Sequence, residues 1–98
     1  MPAYIHADIE ITDPALYEAY RRDVPALIAR HGGRYLVRGG AVTLLEGERQ
    51  AHRQVILEFP DMAALLAFYR DPAYAPLIAL RQRAGRGSLI AIEGHAPG

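Results

Sequence analysis

The chain has 98 residues, about half of them apolar, and its eleven basic and eleven acidic side chains cancel at neutral pH. That length builds a single domain over residues 1–98 with one modest core. The balance leaves no basic field for nucleic acid, the lack of cysteine excludes disulfides, thiol catalysis and thiolate metal sites, and no stretch approaches the roughly 20 apolar residues that cross a bilayer.

All eleven basic residues are arginine, and with the heavy use of Ala, Gly and Pro this reads as a GC-rich bacterial genome. The N-terminus shows no charged start followed by an apolar run, so the cytoplasm is the expected compartment.

The first element is the strand YIHADIEIT, residues 4–12, whose alternation puts Ile5, Ala7, Ile9 and Ile11 on one side and Tyr4, His6, Asp8 and Glu10 on the other. Asp13 can cap a helix and Pro14 fits its first position, where a missing N–H loses nothing. From Leu16 the positions Tyr20, Val24, Leu27, Ile28 and His31 recur at helical spacing, and Gly32-Gly33 supplies the stop. Pro25 removes one donor from this helix, so a bend near Asp23 or a break is expected.

RYLVRGGAVTLLEG reads as one long extended stretch with a bulge or bend at Gly39-Gly40, and GERQAHR as a loop. RQVILEF is a strand with Val55, Leu57 and Phe59 on one side and Gln54, Ile56 and Glu58 on the other. Pro60-Asp61 restarts a helix through MAALLAFYR, DPAYAP is a turn or second start, and LIALRQRAGR carries the helix on to Gly85 and Gly87. SLIAIE is the last strand. It is apolar on both sides, which suits a strand covered on both faces.

The order is βαββαβ, with an internal echo between EITDPALYEAY and EFPDMAALLAFY. Such a repeat folds as a ferredoxin-like α+β sandwich, a four-stranded antiparallel sheet with its helices on one face. The bare face would show Tyr4, His6, Asp8, Glu10, Gln54, Ile56 and Glu58 together with one side of the last strand. That mix is too apolar for water and too polar for a core, so a second copy is the expected cover and the partner is the chain itself.

The run DIEITDPALYEAYRRDVPALIARHGGRYLVRGG, the LEG after it and ILEFPDMAALLAFYRDPAYAPLIALRQRAGRG together resemble the family called domain of unknown function 1330, over nearly the whole chain. The resemblance implies a ferredoxin-like protomer forming a dimeric α+β barrel. It implies no activity, since the family has no established one; more distant proteins of the same architecture include cofactor-independent monooxygenases, muconolactone isomerase-like enzymes and haem-dependent decolorising peroxidases. Members of the family often carry tryptophan beside the tyrosine where this chain has Phe68-Tyr69, and serine where it has Asp71.

The candidate chemistry reads two ways at every position. His6 and Asp8, roughly 7 Å apart along one strand face, form an acid–base pair bridged by water or else hydrogen-bond within a dimer seam. His6, Asp8 and Glu10 in a single row do not converge on an ion, so no metal is expected. Arg38 and Arg53 can clamp a carboxylate or enolate through their planar forks, or else pair with Glu58, Glu46 or Asp8. The tyrosines read as amphipathic packing, with Tyr35 beside Arg38 the one best placed for a ligand. His31 is a helix cap, and the cluster Arg81, Arg83 and Arg86 reads as a solvated helix end.

There is no phosphate loop, nucleophile elbow or zincin helix, and Ser88 is the only serine. Two functions stay open. One is a homodimer that binds a small anionic or carbonyl-bearing metabolite and catalyses proton transfer, isomerisation or oxygenation without a cofactor. His6, Asp8, Arg38 and Glu58 would then be the catalytic groups, with Tyr4, Tyr35, Arg53 and Tyr69 as ligand contacts. The other is a binding or assembly module without turnover.

Overall fold

Alternation in the first strand becomes the division of the whole molecule. A computed structural model of the chain describes residues 1–96. It contains β1 (Ala3–Ile11), α1 (Pro14–Arg30), β2 (Arg34–Arg38), β3 (Arg53–Phe59), α2 (Met62–Tyr69), α3 (Ala75–Ala84) and β4 (Gly85–Glu93). The strands form one sheet in the order β2-β3-β1-β4, every neighbouring pair antiparallel. This is the ferredoxin-like α+β fold. No helix among the described residues is long and apolar enough to cross a membrane.

The core lies between the sheet and the helices. Ala3, Ile5, Ala7 and Ile9 from β1 and Val55, Leu57 and Phe59 from β3 are buried against Tyr17, Tyr20, Val24, Leu27 and Ile28 of α1, Leu65 and Phe68 of α2, and Tyr74. Ile11 packs at its margin. Both helix starts are capped as the sequence suggests: Leu16 N donates to Asp13 Oδ1 at 3.1 Å and Ala64 N to Asp61 Oδ1 at 2.8 Å.

Three expectations about elements change. α1 runs unbroken through Pro25 as a helix of 17 residues, because the apolar face on either side of the proline is held down on the sheet while only one backbone bond is lost. The long strand expected from Arg34 onward ends at Arg38; the register against β3 shifts between Tyr35 and Val37, and Gly39, at φ 71°, turns the chain away. β4 begins at Gly85, three residues before the expected start, since Gly85 and Gly87 have no Cβ to keep them off the backbone of β1. Covering of β4 on both faces is not met within one protomer: Ile90 and Ile92 remain 50% and 47% exposed.

His31 does more than end α1. Its Nε2 donates to Asp71 Oδ2 at 2.8 Å, and its ring meets Phe68 edge-on at 6.2 Å, tying α1 to the connection between α2 and α3. The bond from His31, then one from the Ala73 N–H, hold the Asp71 carboxyl below its usual range against the opposing effect of burial. A depressed folded value makes this contribution complete above about pH 4 and removes it as pH falls through the folded value. Asp71→Asn is therefore expected to flatten the acid limb of a urea-stability profile below about pH 4; limbs that run parallel to wild type would show the bond contributes nothing.

Candidate functional site

The sheet separates the eight sequence-predicted site residues into two groups. On the bare face β1 presents Tyr4, His6 and Asp8, opposite Glu58, Ile56 and Gln54 of β3 and Ile92, Ile90 and Ser88 of β4. His6 and Asp8 do not bond to each other. His6 Nε2 donates to Gln54 Oε1 at 2.8 Å, Asp8 accepts from Arg49 at 2.7 Å, and Glu58 accepts from Arg34 at 2.8 Å. The Arg49 bond, then one from Gln54, hold the Asp8 carboxyl below its usual range. Desolvation and the neighbouring Glu58 push the Tyr4 hydroxyl up. Two of the three expected carboxylate partners, Glu58 and Asp8, are thus taken by Arg34 and Arg49 in place of Arg38 and Arg53.

Arg38, Arg53 and Tyr35 lie on the opposite side, at a cleft between the helices and the sheet. Its walls are Ile5, Ala7, Ile9, Val24, Ile28, Val55, Leu57 and Leu89, and its polar lining is Tyr17, Tyr20, Tyr35 and Tyr74 with Arg21, Arg38, Arg53 and Arg81. No carboxylate lines it. About 30 Å³ of the cleft is open to the centre of a water-sized sphere, against the roughly 10–15 Å³ that one water needs.

Local sequence explains how the arginines are held. A helix residue normally donates its N–H to the carbonyl four residues back, and Pro25 has none to give to Arg21. The freed Arg21 carbonyl instead accepts from Arg38 Nη2 at 3.3 Å, while the Arg38 guanidinium lies 4.5 Å above the Tyr35 ring. Arg53 Nε donates to the Tyr17 hydroxyl at 3.1 Å, and its guanidinium fills the place a Cβ on Gly39 would take. The proline that seemed to threaten the helix therefore furnishes the anchor of Arg38.

Deeper in, the Tyr20 and Tyr74 hydroxyls meet at 2.7 Å. Burial, then the neighbouring Tyr74, pushes the Tyr20 hydroxyl far up, and burial likewise raises Tyr74 and Tyr35. All three remain protonated donors at neutral pH. Tyr69 stands outside this cleft, 41% exposed on a shallow apolar groove with Leu65, Leu66 and Leu89, its ring edge-on to Tyr74 at 6.0 Å.

Sequence reasoning assigned Tyr17, Tyr20 and Tyr74 to packing and Arg81 to a solvated helix end. The signal for the first two was present: Tyr17, Tyr20 and Val24 share one helical face, so two hydroxyl tips had to enter an apolar layer.

Residues 2–95 match the family model described as "Domain of unknown function (DUF1330)". The chain belongs to this family. Among curated proteins none matches the chain. Of the solved structures, RPA0582 of Rhodopseudomonas palustris, a protein of unknown function, is 26% identical with a TM-score of 0.77 over 99% of this chain and 83% of that one. SnoaB of Streptomyces nogalater, described as a cofactor-independent oxygenase, is 16% identical, with a TM-score of 0.59 over 98% of this chain and 93% of its own. A dimeric ferredoxin-like protein of unknown function from Jannaschia is 15% identical, TM-score 0.62, over 98% and 100%. At such identities SnoaB and the Jannaschia protein share the fold with this DUF1330 chain, and the fold alone.

Proposed function

We propose that this DUF1330 protein is a cytoplasmic homodimer in which each protomer takes a small organic anion with an apolar body into the cleft between its helices and its sheet. The observation that carries this reading is the cleft lining of four arginines and four tyrosines with no carboxylate among them. A guanidinium held by a backbone carbonyl or a tyrosine hydroxyl keeps its remaining N–H groups for a carboxylate or an enolate oxygen. Arg38, Arg53 and Tyr35 are then ligand contacts at the mouth. The chemistry such a lining supports is proton transfer to or from a stabilised oxyanion, and the fold hosts cofactor-free oxygenation in SnoaB.

His6, Asp8, Glu58 and Tyr4 are assigned to the dimer seam instead, because they stand on the sheet face turned away from the cleft. The second copy covers Ile90 and Ile92 and the apolar residues of the segment after β2, where Val42, Leu44 and Leu45 are 51%, 54% and 88% exposed. The description of the Jannaschia relative as dimeric supports this. Ile90→Glu, which buries a charge in the seam, is expected to shift a dimer to monomer in sedimentation velocity while the circular dichroism keeps its shape. A dimer as tight as wild type would refute the assignment of this face.

A further inference from the structure

One donor in the cleft has no acceptor. Arg81, on α3, has its Nε buried without a hydrogen-bond partner, the one such side-chain atom among the described residues. The rest of its guanidinium lies 5.9 Å above the ring of Tyr20 and acts on the Tyr74 hydroxyl, whose rise through burial it opposes. Tyr20 and Tyr74 form a single bond between their hydroxyls, which uses one of their two O–H groups and leaves the other free. A buried N–H left unpaired is destabilising, and native proteins hold such groups where something else supplies the acceptor.

Resting on the reading of the cleft as a ligand site, we infer that Arg81 Nε and the free hydroxyl of the Tyr20–Tyr74 pair together seat one oxygen of a planar organic anion, a phenolate, enolate or carboxylate, at the buried end of the cleft. A tetrahedral phosphate has no apolar body to fill the apolar walls. Ala7, Val24 and Leu89 line the same space and take the apolar body, while Arg38 and Arg53 close the mouth behind it. Burial keeps both tyrosines protonated, so the donor set does not change at neutral pH.

The test uses 4-nitrophenol, whose phenolate is yellow and whose phenol is not. Held just below the pH at which the free probe ionises, wild-type protein is expected to raise the yellow fraction as it binds, and inorganic phosphate is expected not to displace it. Arg81→Gln should weaken binding at least about tenfold and remove the colour shift, whereas Arg83→Gln, on an exposed residue of the same helix, should leave both unchanged. Tyr74→Phe, which keeps the ring, should weaken binding by a smaller factor; it also serves if Arg81→Gln fails to fold. Wild-type affinity and colour in Arg81→Gln or in Tyr74→Phe would overturn this inference and leave the cleft reading standing. A wild-type protein that binds neither 4-nitrophenol nor benzoate would overturn both.

Discussion

Phe68→Ala is expected to destabilise the protein by about 3–5 kcal/mol, the largest effect of any single truncation considered. The ring is fully buried, and it joins three elements at once: its centroid lies 5.3 Å from Phe59 on β3, 4.4 Å from Tyr74 ahead of α3 and 6.2 Å from His31 at the end of α1. Truncation removes the transfer free energy of the ring and leaves a cavity that β3 and the α1 end cannot collapse to fill. A domain of this size holds about 5–15 kcal/mol in total, so the variant should lie close to its unfolding midpoint under mild conditions. Urea unfolding followed by circular dichroism reads this directly, and a loss below about 1 kcal/mol would mean the aromatic cluster is not the centre of the core. Because Tyr74 stacks on Phe68, the hydroxyl pair in the cleft should loosen with it.

Gly87→Ala is expected to cost at least about 2 kcal/mol through the backbone rather than the core. Gly87 has φ 157° and pairs with Ile9 on β1. A Cβ there falls on the carbonyl oxygen of Asp8, a main-chain atom that cannot swing aside as a side chain can. β4 would have to lift from β1 at that end, exposing the edge of the pair that holds the sheet together. Gly40→Ala is the control: no atom lies within 4 Å of its Cβ position, so it should be near neutral. Equal stabilities for the two variants would contradict the account of why β4 starts at two glycines.

Much of the fold was legible because it rests on short-range rules. The alternation of β1, the caps at Asp13 and Asp61 and the βαββαβ order need only neighbouring residues, and the ferredoxin-like sheet follows from them. What escaped depends on distance along the chain. Whether Arg38 faces Glu58 or Arg21 is decided by a register shift at β2 that its local sequence leaves open, and by a carbonyl that is free only because α1 continues through Pro25. The cleft proposed as the site was legible in some of its residue types and not in its location: the row Tyr4, His6, Asp8 drew attention to the bare face, while Arg38, Arg53 and Tyr35 stand at a cleft whose other walls come from α1, α3 and the inner face of the sheet. Arg81, 61 positions from Tyr20 and on another helix, gives no local sign that its Nε ends up buried.

Native mass spectrometry tests most directly whether a dimer of this chain carries a small organic anion in each helix–sheet cleft. Wild-type protein incubated with a panel of small phenols and aromatic carboxylates should appear as a dimer with up to one adduct per protomer, and Arg53→Gln should remain a dimer and lose the adducts. A monomer, or a dimer whose adducts are absent or indifferent to Arg53, would contradict the claim.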